Sequence, residues 1–137
     1  MGSDKIGLLI VDDEPGIRAL LREIILEELD GTRCAIHEAG DGKEALRILE
    51  REAVDVLVTD IRMPQLDGLN LLQQARLRHP TTEVIVMTGY SEDYTREEAL
   101  RFGAQDYITK PFDVDEVRLI LMKSCMKVEA SRRTRGA

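Results

Sequence analysis

The stretch AVDVLVTDIRMPQLDGL, Ala53 to Leu69, sets the frame for the whole chain. Its apolar run, Val54, Val56, Leu57 and Val58, stops abruptly at Asp60. A loop containing Pro64 follows, and a helical pattern starts near Asp67. A carboxylate at the mouth of a buried strand is costly unless a charged partner meets it. Two other apolar runs end in polar groups: Ile6 to Val11 in Asp12-Asp13, and Val84 to Met87 in Thr88-Gly89. The remaining sequence reads as scaffolding that brings those ends together around Asp60.

Working outward, Ile6 to Val11 is a continuous apolar run, the pattern of a strand covered on both faces. Pro15 suits a first helical turn, and the acidic Asp12-Asp13-Glu14 before it favours a helix N-terminus. Ile17, Leu20, Leu21 and Ile24 then recur at helical spacing to about Leu29, where Asp30-Gly31 stops the helix. Cys34 to Glu38 reads as a second strand, and Asp41 as the N-cap of a helix carrying Ala45, Leu46 and Leu49. After the strand ending at Asp60, a helix carries Leu69, Leu72 and Ala75 and ends before Pro80. Val84 to Met87 is a fourth strand, and a weaker helix spans about Tyr94 to Phe102. Asp106 to Thr109 is a short fifth strand, followed by Lys110-Pro111. A last helix carries Val114, Val117, Leu121, Cys125 and Val128.

Five strand-helix repeats imply a parallel sheet with helices on both faces, because right-handed crossovers return the chain in the same direction. The expected class is α/β, a flavodoxin-like, doubly wound (βα)5 fold with strand order 2-1-3-4-5, in which ligands sit at the carboxyl ends of the strands. The expected organisation is one domain over residues 5–128. Residues 129–137 are read as a basic tail or the start of a linker, because Ser131 to Ala137 holds three Arg and no apolar run.

The 137 residues suit one compact domain, and 43% hydrophobic residues supply a core. A net charge of −7 without a large basic face argues against direct nucleic-acid binding. No apolar run approaches the roughly 18 residues of a membrane span, and no signal peptide is visible. Cys34 and Cys125 read as reduced, packed thiols of a cytoplasmic protein rather than a disulfide.

The strand-end groups carry the chemistry. Singly, Asp12-Asp13 reads as a capping pair, Asp60 as a turn residue and Lys110 as an exposed lysine. Their joint placement at strand ends decides for function. Two carboxylates ~4 Å apart repel by about 4 kcal/mol at an effective dielectric near 20. A small hard divalent cation such as Mg²⁺ relieves that repulsion through oxygen ligands. A carboxylate nucleophile, a metal, a hydroxyl and a lysine suit phosphoryl transfer onto the carboxylate. Asp60 attacks phosphorus, while the metal and Lys110 neutralise the phosphoryl oxygens and Thr88 donates to one of them.

VDDEP after the first strand, DIRMPQLDG after the third, MTG after the fourth and DYITKPF at the fifth resemble the receiver domain of bacterial two-component response regulators. The resemblance covers about Lys5 to Val128. It implies that Asp60 takes phosphate from the phosphohistidine of a sensor histidine kinase. It implies that Asp13 and Asp60 bind Mg²⁺ directly (Mn²⁺ substituting), Asp12 through water, and the backbone carbonyl of Arg62 as a further ligand. It implies that Thr88 and Tyr107 form the switch pair, that Lys110 binds the phosphoryl group, and that the Lys110-Pro111 peptide is cis. Gly89 leaves room beside Thr88. Arg62 and Tyr90 flank the approach to the phosphoryl group and are expected to exclude attacking water and prolong its lifetime.

The partners expected are the kinase, an output domain or downstream effector, and a second copy. Phosphorylation-promoted homodimerisation is expected to use the fourth helix, fifth strand and fifth helix, whose surface mixes charges at Arg96, Glu97, Arg101, Asp106, Asp115, Glu116 and Arg118. No enzymatic activity is expected beyond the chain's own phosphorylation and dephosphorylation. The chain is read as a stand-alone receiver or one cut from a longer protein. Three rival readings remain at this point. A haloacid-dehalogenase-like phosphatase wants a second Asp two residues after the first, where this chain has Arg62. A flavin or nucleotide module wants a Gly-rich phosphate loop, and none is present. A degenerate receiver used only as a binding surface does not need the intact acidic pair, Thr88 and Lys110.

Overall fold

A computed structural model of the chain describes residues 5–61, 68–89 and 96–136. Five strands and five helices alternate: β1 (Ile6–Val11), α1 (Pro15–Glu28), β2 (Cys34–Ala39), α2 (Gly42–Arg51), β3 (Val56–Asp60), α3 (Gly68–Arg78), β4 (Glu83–Gly89), α4 (Arg96–Arg101), β5 (Asp106–Lys110) and α5 (Val114–Gly136). The strands form one parallel sheet in the order β2-β1-β3-β4-β5, the expected doubly wound, flavodoxin-like arrangement.

The apolar runs become central strands because both faces of the sheet are covered. Side chains alternate between faces along a strand. Leu8 and Ile10 of β1 pack with α1 and α5 residues such as Leu21, Ile25 and Leu121. Leu9 and Val11 pack on the opposite face with Leu49, Leu71 and Leu72. Val58 joins the first cluster and Leu57 the second. Every residue of β1 and β3 is buried.

Local signals set several boundaries. Pro15 opens α1, where its missing N–H costs nothing. Asp41 caps α2 by accepting from the Glu44 N–H at 2.8 Å, and Glu44 returns the bond to the Gly40 N–H at 2.8 Å. The expected start of α3 at Asp67 lies outside the described residues. Gly7 faces the chain just before β3: a Cβ there would lie 1.9 Å from the Ala53 carbonyl oxygen. That clearance lets the Gly7 N–H reach Asp55 Oδ2 at 2.8 Å, while the Gly7 carbonyl accepts from the Asp55 N–H at 2.8 Å.

The C-terminal end departs from expectation. The segment read as a tail continues α5, which runs 23 residues to Gly136. The last fully apolar contact is Val128, and Arg132 stands one turn further on the same helix face. Arg132 donates to the Lys5 carbonyl at 3.0 Å and to Asp55 Oδ2 at 2.7 Å. Polar docking on the start of β1 and β3 thus replaces apolar burial in the final turns. No helix among the described residues is long and apolar enough to cross a membrane.

Cys34 and Cys125 are free thiols buried in the same core cluster. Burial pushes the Cys125 thiol up from 9.0 to about 12, with Glu129 adding to the effect. An unfolded thiol ionises near its ordinary value, so the unfolded state sheds its proton first as pH rises. The contribution of this thiol to stability is therefore full below about pH 9 and is lost as pH climbs toward about 12. The stability advantage of wild type over Cys125→Ala, read from urea unfolding midpoints, is expected to shrink from about pH 8 to about pH 11; a constant difference would contradict this. In the same assay at neutral pH, Gly7→Ala is expected to cost about 2–3 kcal/mol, because its Cβ collides with backbone that cannot move aside.

Candidate functional site

The strand order reverses direction at β1, whose neighbours are β2 on one side and β3 on the other. Loops diverge at such a point and leave a crevice beyond the carboxyl ends of the strands. Asp12 follows β1 directly and Asp60 closes β3, so both acidic groups stand at that crevice. Lys110 closes β5 on the far side of β4.

The structure brings Asp12, Asp13, Asp60 and Lys110 together. One carboxylate oxygen from each aspartate lies within 4.8 Å of the others. Lys110 Nζ donates to Asp12 Oδ2 at 2.7 Å and to Asp60 Oδ2 at 2.8 Å. Asp12 is fully buried, Asp60 is 6% exposed, and Asp13 faces solvent. Burial disfavours the Lys110 ammonium. Its hydrogen bonds to Asp12 and Asp60, with the charges of both, outweigh that penalty and raise its pKa above the ordinary value.

The charge balance tests what this group can hold. Three carboxylates face one ammonium, which leaves two negative charges uncompensated if all are ionised. One divalent cation carries that charge. The donor atoms are all hard carboxylate oxygens, the type Mg²⁺ and Mn²⁺ take. The residues present therefore fit such an ion.

Asp12 is fixed from every side. Its backbone N–H donates to the Ala39 carbonyl at 3.1 Å, continuing the β1–β2 ladder. Its Oδ1 accepts from the Glu14 N–H at 2.9 Å, and its Oδ2 accepts from Lys110. Its carbonyl accepts from Arg18 Nη1 at 2.6 Å. Arg18 was not singled out from the sequence. A signal was present: Arg18 stands three residues before Leu21 and seven before Ile25, on the stripe that α1 buries. A cation there needs acceptors, and the structure supplies two.

The other expected residues fall as follows. Thr88 is buried at the end of β4, one residue beyond Met87, the register partner of Asp60. Its hydroxyl donates to the Gly89 carbonyl at 3.3 Å, near the long limit for such a bond. Gly89 lies opposite Lys110 in the β4–β5 ladder. Tyr107 is half-buried, pairs with Val86 and packs against the core cluster on the α2 and α3 side. Alternation along β4 puts Thr88 on the same face as Val86, hence on the Tyr107 side of the sheet. The Lys110-Pro111 peptide is cis. Arg62 and Tyr90 lie outside the described residues.

A Gly at position 68 completes the mouth of the crevice. Its N–H donates to the Ile61 carbonyl at 2.7 Å, and a Cβ would lie 1.9 Å from the Asp60 carbonyl oxygen. Gly68, the first residue of α3, thus lies directly against the backbone at the end of β3.

Comparison with known proteins agrees with this geometry. The model of the response regulator receiver domain matches residues 8–122. Regulatory protein AtoC of Escherichia coli is 42% identical over 117 residues, covering 85% of this chain and 24% of AtoC. Response regulator protein PilR of Pseudomonas aeruginosa is 44% identical over 110 residues, covering 80% and 24%. The chain thus spans about a quarter of the length of these curated relatives. Among solved structures, the REC domain of AraT, a response regulator from Geobacillus stearothermophilus, superposes with a TM-score of 0.77 at 39% identity, covering 93% of this chain and 98% of that one. A carboxylate crevice at the switch point of a 2-1-3-4-5 sheet, and a family match over most of the chain, lead to one assignment: this chain belongs to the response regulator receiver domain family.

Proposed function

We propose that Asp60 is the phospho-acceptor of this receiver and that the phosphoryl group comes from the phosphohistidine of a sensor histidine kinase. The observation that carries the reading is the three-carboxylate cluster bonded through Asp12 and Asp60 to Lys110. An Asp60 oxygen attacks phosphorus, the P–N bond breaks, and its electron pair leaves with the donor imidazole. Asp12, Asp13 and Asp60 would hold Mg²⁺, with Mn²⁺ as a substitute and the Arg62 carbonyl as a further ligand. When bound, that ion supplies positive charge against the oxygens of the transferring group.

The chain's own residues do the rest. Lys110 already sits on Asp60 and needs only to exchange a carboxylate oxygen for a phosphoryl oxygen. Thr88 gives up a long, weak bond to the Gly89 carbonyl and donates to the phosphoryl group instead. Tyr107, on the same side of the sheet, then turns inward. Together these two residues carry the switch. Gly89 beside them leaves room at the phosphoryl group, and Arg62 and Tyr90 guard it against water.

The output is an effector domain or a separate effector protein in the cytoplasm, and the chain acts as a regulatory element whose only chemistry is on itself. The phosphatase alternative has no support from the family assignment. The intact Asp12, Asp13, Thr88 and Lys110 favour an active receiver over a degenerate one. The phosphorylated form is proposed to pair with a second copy through α4, β5 and α5, where Arg101, Asp115 and Glu116 are exposed.

Two measurements test this. Incubated with acetyl phosphate and Mg²⁺, the protein is expected to gain a phosphate adduct by intact-mass spectrometry. Asp60→Ala and a chelator should each abolish it; an adduct persisting in either would refute the assignment. Sedimentation velocity with beryllofluoride is expected to show a dimer that Arg101→Glu weakens. A strictly monomeric protein at all concentrations would remove the interface proposal and leave the phosphorylation reading intact.

A further inference from the structure

Among the described residues, the Asp13 carboxylate differs from its two neighbours. It is exposed and takes no hydrogen bond or ion pair from another described residue. Asp12 has both carboxylate oxygens committed, to the Glu14 N–H and to Lys110. Asp60 Oδ2 is committed to Lys110. Asp13 is therefore the carboxylate with the most lone pairs to offer, and nothing attached to its own side chain aims it.

Its aim comes through the backbone. The Asp12 carbonyl and the Asp13 nitrogen belong to one planar peptide unit, so fixing that carbonyl fixes the direction in which Asp13 leaves the strand. The carbonyl is gripped by Arg18 Nη1 at 2.6 Å. The other edge of the same guanidinium is anchored: Arg18 Nε donates to Glu38 Oε1 on β2 at 3.1 Å. The second Glu38 oxygen accepts from Arg22 Nη1 at 3.5 Å. The Arg18 side chain is 19% exposed, so this charge-assisted bond is held in a largely dry setting.

We infer that Arg18 is a positioning residue of the cation site: by holding the Asp12 carbonyl against α1 and β2 it orients the Asp12–Asp13 peptide and so aims the free Asp13 carboxylate into the crevice. The inference rests on the metal-dependent reading above and adds to it a residue that touches neither metal nor phosphoryl group. Orienting partners of metal ligands are worth about 10–100-fold in metal affinity. Simple electrostatics makes the opposite forecast. A cation close to a cation site repels the metal, so deleting Arg18 for charge reasons alone would tighten binding. The sign of the effect separates positioning from charge.

The experiment is a titration with Mn²⁺ alone, followed by the loss of the free-ion electron paramagnetic resonance signal, with melting temperatures recorded in parallel. The proteins are wild type, Arg18→Met, Arg18→Lys, Arg22→Met and Asp13→Asn. Arg18→Met keeps the apolar stem and removes the donor, and is expected to bind Mn²⁺ about tenfold more weakly. Arg18→Lys, which keeps a charged donor, should recover most of that loss. Arg22→Met loses a cation on the same Glu38 without touching Asp12 and should not weaken binding. If Arg18→Met fails to fold, Arg18→Gln, too short to grip the carbonyl, takes its place with the same expectation. Unchanged or tighter binding in Arg18→Met, even with a lowered melting temperature, would overturn the inference while loss of binding in Asp13→Asn upholds the site. Wild type that takes up no Mn²⁺, or Asp13→Asn that binds like wild type, would instead bring down the metal reading, and this inference with it.

Discussion

The bond from one ammonium to two carboxylates, Lys110 to Asp12 and Asp60, is the interaction on which the site depends. It joins the ends of the neighbouring strands β1 and β3 to the end of β5, which β4 separates from them. Without it, two nearly buried carboxylates would face each other without that shared cation, and like charges at close range repel. With it, one positive charge lies between the two carboxylates. The same bond makes Lys110 a resident of the crevice. On the proposed reading, the cation that would meet an incoming phosphoryl group is in place beforehand, so little reorganisation would be needed.

The fold was open to reading from the sequence because its rules are simple here. Six buried residues in β1 and five in β3 leave runs that only a doubly covered sheet explains. Pro15, Asp41 and Gly103 mark helix boundaries with residues whose geometry allows few alternatives; Gly103, at φ 108, sits where a side chain would be strained. The acidic pair, Asp60 and Lys110 were legible as a cluster because they stand together at strand ends, although each alone has an ordinary structural reading. Two things were hidden. The final turns of α5 hold no apolar run, so hydropathy read Ser131 to Ala137 as a solvated tail or the start of a linker, whereas Arg132 docks through polar bonds to Lys5 and Asp55. Arg18 looked like an ordinary helix arginine, because its partners are a backbone carbonyl and a glutamate twenty residues away.

The site is layered rather than flat. Asp12 is buried and saturated with bonds, Asp60 is nearly buried and bonded to Lys110, and Asp13 is exposed. Rigidity thus decreases from the floor of the crevice to its rim. An arrangement of this kind holds its floor fixed while its rim stays open to solvent. Thr88 and Tyr107 belong to the neighbouring strands, on one side of the sheet, Thr88 fully buried and held by a long bond, Tyr107 half-buried.

The anchoring of Arg132 has a mechanical consequence. It grips Asp55, the residue just before β3, and Asp55 in turn holds the Gly7 N–H of β1. Five residues on, the same strand ends at Asp60, which Lys110 grips. β3 is therefore moored at both tips, like a spar lashed fore and aft. A spar so held transmits load without sliding. A charge placed at the Asp60 end would meet a strand held at both tips, whose lateral neighbours are β1 and β4.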